Sequence, residues 1–214
     1  MAIARRLCKQ RGRAVRMGTL VRRDIARYIA RMSQPIPALV EPIAILVAPH
    51  PVLRRKARLV RPDDAAGLRA LLPRMYEAMY QAPGIGLAAP QVGIDLRFAI
   101  IDLMPDDAPA PITLINPEII RASEQLAARE EGCLSLPGQY AEVVRPETVR
   151  VRYQDLDGKR QELDADGLLA TCLQHEIDHL DGVLFVDHLS TLKRNMIMRR
   201  LAKAQKARPG QAGD

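Results

Sequence analysis

The pentapeptide His175-Glu176-Ile177-Asp178-His179 narrows the fold more than any other part of the chain, because its two imidazoles share one cation readily when the segment is helical. In an α-helix, residues i and i+4 project from the same face, and a carboxylate one position after the first imidazole reaches a water held by the same cation. The flanks favour that helix. Asp166 to Leu180 contains no proline, and Asp181-Gly182 supplies a glycine stop. From Gly167 to Gln174 there is no charged side chain, while Leu169, Leu173, Ile177 and Leu180 recur at helical spacing. The spacing predicts a central helix with an apolar stripe on one side and the metal face largely opposite. Cys172 stands three residues before His175 and belongs to that metal face. The plainer reading, a structural pair of core histidines, holds unless a third ligand is found.

A catalytic cation needs that third protein ligand and an open position for water. Downstream, Asp187 and His188 lie at a distance used by some metallopeptidases. Upstream, Cys133 lies in Glu131-Gly132-Cys133-Leu134-Ser135, where it offers a soft thiolate and Gly132 lets the backbone approach closely. Cys133 is the better candidate, although a single cysteine is more often a small buried hydrophobe. A third segment, Gly84-Ile85-Gly86-Leu87-Ala88-Ala89-Pro90-Gln91, ends a run of small and apolar residues in a polar amide. It lacks the third glycine of a dinucleotide-binding loop, and no strand-forming run precedes it directly. On its own it reads as a turn leading into a buried strand.

In this order, segments 84–91, 131–135 and 174–180 resemble the three motifs of the peptide deformylase family, all complete, with similarity extending from about Ile43 to the helix after Ser190. The resemblance implies a hydrolase that removes the formyl group from the initiator methionine of nascent chains and releases formate. Cys133, His175 and His179 would bind one divalent metal, with Fe²⁺ favoured and Zn²⁺, Ni²⁺ or Co²⁺ able to substitute, since one thiolate and two imidazoles suit any of them. Metal-bound hydroxide would attack the formyl carbon, with Glu176 as general base and then general acid. The Gln91 side chain and the Leu134 amide would stabilise the oxyanion. The N-formylmethionyl peptide would lie as an added strand between the Gly84–Gly86 and Glu131–Gly132 backbones. Its methionine side chain would enter a pocket drawn from Ile85, Gly86, Leu134, Cys172 and His175. At Tyr140 the chain departs from relatives that carry an arginine against the substrate backbone.

The remaining sequence bounds the fold. Val149, Val151 and Tyr153 alternate with Arg150, Arg152 and Gln154, and Asp157-Gly158 suggests a two-residue hairpin turn before a return through Leu163. Another apolar run spans Leu96 to Leu103, and Pro105 to Pro111 is a loop by composition. Asp63 to Gln81 is helical in pattern, with Leu68, Leu71, Leu72, Met75 and Met79 as its apolar positions. A last helix, about Ser190 to Lys206, has Leu192, Met196, Ile197 and Leu201 as its packing stripe. The expected class is α+β, with antiparallel β-sheets packed around the His-Glu-x-x-His helix and a C-terminal helix. Aromatics make up only 3% of the chain, so Leu, Ile, Val and Met must fill the core.

Charge and cysteine content address setting. Arg5, Arg6, Lys9, Arg11, Arg13, Arg16, Arg22, Arg23, Arg27 and Arg31 face only Asp24 in residues 1–40, which exceeds the net charge of +7 for the whole chain. We read residues 1–40 as a basic extension, 41–206 as the metallohydrolase domain and 207–214 as a flexible tail. The extension is read as an upstream over-read before Met32, with an arm for ribosomal RNA or an organellar transit peptide as alternatives. The basic C-terminal helix, with Lys193, Arg194, Arg199, Arg200, Lys203 and Lys206, offers a second means of ribosome docking. Three cysteines, Cys8, Cys133 and Cys172, form no disulfide framework. The expectation is a monomer in the bacterial cytoplasm, with no membrane association. Two other classes compete: a zinc metallopeptidase using Asp187 or His188, and a non-catalytic basic RNA-binding protein.

Overall fold

The structure, a computed structural model, describes residues 43–104 and 108–207. The basic stretch 1–40, with Cys8, lies outside the described residues, as do residues 105–107 of the proline-rich loop and residues 208–214 of the tail. The described chain is α+β, as expected. Its helices are α1 (Ala65–Gln81), α2 (Gly167–Leu180) and α3 (Thr191–Lys206). Its strands are β1 (Gly86–Ala88), β2 (Phe98–Ile101), β3 (Ile112–Ala122), β4 (Leu126–Cys133), β5 (Leu136–Pro146), β6 (Val149–Gln154) and β7 (Arg160–Ala165).

Five strands form one antiparallel sheet in the order β1-β2-β3-β6-β7, and β4 and β5 form a separate two-stranded ribbon. Strand β1 is therefore an edge of the large sheet, and β4 has one edge unpaired by any described strand. The alternation read in β6 is present, with Val149 and Val151 buried and Arg150 and Arg152 paired across the ladder to Asp164 and Glu162. The hairpin turn differs from expectation. The last β6–β7 pair is Gln154↔Arg160, so the loop runs from Asp155 to Lys159 rather than through two residues. Its cause is local. The Asp155 carboxylate accepts hydrogen bonds from the Asp157 and Lys159 amides at 2.9 and 3.0 Å and so closes a wider turn, with Gly158 at φ +76°.

Helix α2 is enclosed on nearly every side. Leu173 and Ile177 pack with Ile101, Leu114, Val149 and Val151 of the large sheet, and Leu180 packs with Ala57, Ala88 and Ala99. The face bearing Cys172, His175, Glu176 and His179 is buried as well, so the expected contrast between an apolar side and a catalytic side is one of chemistry, not exposure. Leu169 at the first turn is only half-buried. The stop after α2 is as read: Gly182 takes φ +76°, and a side chain there would meet the Arg54 backbone at 2.8 Å.

Helix α1 buries Leu68, Leu72, Met75, Tyr76 and Met79 against Leu87, Phe98 and Ile100, so the other side of β1 and β2 is also covered. In α3 the packing stripe is narrower than the spacing suggested. Ile197 and Leu201 are buried against Leu53, Leu184 and Phe185, whereas Leu192 is 72% and Met196 44% exposed. The helix lies against the molecule along one line only, and those two side chains fall outside it.

Because Leu173 is fully buried between α2 and the sheet, truncating it leaves a cavity beneath the metal-facing helix. Leu173→Ala is expected to lower the free energy of unfolding by about 2–5 kcal/mol in urea titration. A loss under about 1 kcal/mol would mean that α2 is not held by this packing.

Candidate metal centre

Two elements deliver the candidate ligands. Cys133 ends β4 at an irregularity in the ribbon, where the pair Gly132↔Tyr140 is followed by Cys133↔Leu136. That shift turns the sulfur toward α2. His175 and His179 come from successive turns of α2, with ring centroids 4.8 Å apart and planes at 80°. Cys133 Sγ lies 3.1 Å from His179 Nε2, which lies 3.2 Å from His175 Nε2, and one ligand atom of each residue falls within 4.8 Å of the others. Tetrahedral coordination with bonds of about 2.0–2.3 Å places ligand atoms about 3.4–3.6 Å apart, so the cluster has nearly the size of one cation's shell. Among the described residues this is the only such grouping of histidine, cysteine and carboxylate ligands.

The electrostatics suit that cation. Burial alone would push the Cys133 thiol up, but the neighbouring His179 and His175 imidazoles bring it down to about 5. Burial would lower His175, yet its hydrogen bonds with Cys133 and Glu131 hold it well above the usual histidine range. The proton that thiolate and imidazoles share is what a divalent cation displaces on binding. His175 is also oriented from behind. Its Nδ1 lies 2.8 Å from Glu131 Oε2, and Glu131 is held ionised by Arg145 through contacts of 2.6 and 3.1 Å. An ionised carboxylate only accepts, so Nδ1 carries the hydrogen and Nε2 presents its lone pair to the centre.

Glu176 stands beside the ligands without being one of them. Burial is the main reason its carboxyl rises to about 7, against the pull of His175 and His179. Its Oε2 is buried with no hydrogen-bond partner among the described residues, and so is His179 Nδ1. The other oxygen lies over Gly86: a Cβ built there would sit 2.3 Å from Glu176 Oε1 and 3.0 Å from Cys172 Sγ. Only glycine leaves that space free.

The other residues singled out in the sequence surround the same point. Gln91 is buried in a 3-10 turn (Ala89–Val92) after β1, where its Oε1 accepts from the Ala88 amide at 2.8 Å. Its Nε2 donates to Ser135 Oγ at 3.2 Å and approaches Cys133 Sγ at 3.6 Å, so the amide hydrogens point into the centre. The Leu134 side chain covers Gly84, at 2.7 Å from a Cβ placed there. Cys172 Sγ donates toward the Ile85 carbonyl at 3.8 Å, which joins α2 to the segment before β1. Gly132 lies under the ring of Tyr140, which is half exposed. The Glu131 side chain is buried, so only its backbone remains to face a bound chain.

Asp187 and His188, the alternative third ligands, are elsewhere. Asp187 pairs with Arg54, and His188 Nε2 bonds Asp178 Oδ2 at 2.7 Å. Sequence reading missed Arg145 and Asp178, which meet at 2.7 Å behind the ligands. Arg145 is the single arginine of β5, a strand most of whose residues are exposed or half-buried. Its one distinguishing signal is a position directly after the apolar pair Val143-Val144.

Despite burial, Glu131 is held below its usual value by His175 and Arg145, and Asp178 by His188 and Arg145. Each carboxylate then stabilises the fold above its ordinary value, and that stability is lost as pH falls through the lowered one. Urea midpoints should fall as pH drops below about 4.5, the ordinary glutamate value. In Arg145→Met both carboxylates lose that cation and burial pushes them up, so the fall on acidification should shrink, because about 3–5 kcal/mol is already lost near neutrality. An unchanged pH profile in that variant would show that Arg145 does not hold them.

Comparison with known proteins points to one family. A sequence profile described as Polypeptide deformylase matches residues 42–195. A peptide deformylase of Mesorhizobium japonicum is 54% identical over 163 residues, covering 76% of this chain and 92% of its own. One from Methylocella silvestris is 56% identical over 166 residues, covering 76% and 84%. The crystal structure of a Legionella pneumophila peptide deformylase superposes with a TM-score of 0.73 at 46% identity, over 78% of this chain and 97% of its own. That of a Synechococcus elongatus peptide deformylase in complex with actinonin gives 0.71 at 46%, over 80% and 95%.

Proposed function

The chain belongs to the polypeptide deformylase family and is a metal-dependent hydrolase that removes the N-formyl group from nascent peptides; we propose the following roles for its residues in that reaction. Cys133, His175 and His179 hold the cation, and the observation that carries this is the convergence of their Sγ and Nε2 atoms beside a buried carboxylate with an unpartnered oxygen. A divalent ion held by these three residues would supply Lewis acidity that makes water a nucleophile near neutral pH. Fe²⁺ is the favoured ion, with Zn²⁺, Ni²⁺ or Co²⁺ as substitutes, since the donor set suits each.

Glu176 takes the proton of the attacking water, a role suited to a carboxyl of about 7 whose Oε2 is otherwise unbonded. The oxygen of that water bonds to the formyl carbon, and negative charge gathers on the formyl oxygen. The Gln91 Nε2 hydrogens, already aimed at the centre, stabilise it together with the Leu134 amide. The carbon–nitrogen bond then breaks as Glu176 returns the proton to the leaving nitrogen, giving formate and a free amine.

The peptide pairs as an added strand with the free edges of β1 and β4, the backbone of Glu131–Gly132 on one side and of Gly84–Gly86 on the other. Its methionine side chain enters among Ile85, Gly86, Leu134, Cys172 and His175. The enzyme acts as a cytoplasmic monomer, and the basic helix α3 or the N-terminal extension docks it on ribosomal RNA. Among the described residues no helix is long and apolar enough to cross a membrane.

Glu176→Ala should retain its metal while formate release from a formyl-Met peptide falls by about 10²–10⁴-fold. Metal analysis and a formate assay on anaerobically purified protein check both halves. Wild-type turnover in that variant would remove Glu176 as the proton carrier. Gly86→Ala, whose methyl collides with Glu176 Oε1, should likewise keep metal and lose activity.

A further inference from the structure

The chain of contacts behind His175 does not stop at Arg145. Each guanidinium nitrogen is engaged, with Nε and Nη2 on Glu131 and Nη1 on Asp178. Asp178 Oδ2 takes a second donor, His188 Nε2, at the same 2.7 Å. A continuous line of hydrogen bonds therefore runs from His188, whose side chain is 34% exposed, through Asp178, Arg145 and Glu131 to the Nδ1 of a candidate metal ligand.

His188 is itself held in place. It ends a 3-10 turn (Phe185–His188) that packs against the centre from the other side, with the Phe185 ring stacked on His175 at 6.4 Å and 23°. Within the turn, Asp187 accepts from the Leu184 amide at 2.9 Å and pairs with Arg54 and, at 3.5 Å, with Arg194. The imidazole thus meets Asp178 from a fixed base.

We propose that His188 is a positioning residue for the metal centre: by fixing Asp178 it keeps Arg145, Glu131 and the His175 imidazole in register. The reason lies in charge and shape. One guanidinium faces two carboxylates, so Asp178 carries a surplus that the His188 N–H meets. Without it, a carboxylate with 23% of its side chain exposed turns toward water. The guanidinium is a rigid plane, and any tilt that follows Asp178 is passed to Glu131 on its other edge. Glu131 sets the angle at which His175 presents Nε2.

The inference rests on the reading of Cys133, His175 and His179 as the cation site, and its test separates the two. The full chain is loaded with Co²⁺, and three quantities are measured: the visible absorption spectrum, the rate of Co²⁺ release to a chelator, and the melting temperature. His188→Ala is expected to shift the spectrum and speed release up to roughly 10-fold, less than the about 10–100-fold of groups that touch a metal ligand directly, because it acts through three further side chains. His188→Gln keeps a nitrogen donor for Asp178 and should restore both. Asp178→Asn should have a larger effect, and adding His188→Ala to it should change release by less than about 2-fold if the two act in series. Wild-type spectrum and release in His188→Ala would overturn the proposal, even with a lower melting temperature, because that pattern describes a surface contact that only stabilises the turn. Additive effects in the double variant would overturn it too. Uptake of Co²⁺ by Cys133→Ser as tight as in the wild type would instead overturn the cation site, and the proposal with it. The comparison of Ala with Gln at position 188 stands even where Asp178→Asn does not fold.

Discussion

The structure depends on one difficult arrangement: a thiol that ionises, two imidazoles and two carboxylates are held in an apolar interior within a few ångströms of one another. Each would be costly alone, since a buried charge without a partner destabilises by several kcal/mol. They persist because every element around them is committed elsewhere. Helix α2 is fixed by Leu173 and Ile177 on the large sheet, and the β4–β5 ribbon by Val143 and Leu136 in the cluster with Leu184 and Phe185. The arginine on that ribbon then supplies the positive charge the carboxylates need.

This division explains why the two imidazoles differ although they lie on one helix four residues apart. His175 has Glu131 behind it, whereas His179 Nδ1 finds no partner among the described residues. One candidate ligand is oriented by an ionic network and the other mainly by the turn of helix it sits on. The Cys133 sulfur comes from another element, so the triangle closes only when ribbon and helix are packed together. The centre is for that reason a property of the whole domain.

Much of this was legible in the sequence, for identifiable reasons. Helix α2, its glycine stop and the ligand pair follow from local spacing, and β6 from its alternation. The three motifs pointed to one site because each bears chemistry at a short, fixed interval. What was not legible depends on long-range or fine geometry. Nothing near Arg145 in sequence announces that its fork will join Glu131, fourteen positions earlier, to Asp178 on another element. The β6–β7 turn widened because one Asp155 side chain bonds two amides. The stripe of α3 narrowed because Leu192 and Met196 fall beyond its line of contact, which spacing alone does not reveal.

The two unpaired strand edges beside the centre have a further consequence. An open edge is a general invitation to any extended chain, including other copies of the protein, and so a source of aggregation. Here one edge is only three residues long, Gly86–Ala88, and all three residues are buried. So short a ladder gives little grip to a stray strand, and in the proposed reaction a client is held chiefly by its end. On the proposed mode of binding, brevity would let the edge serve many sequences in passing without keeping any of them.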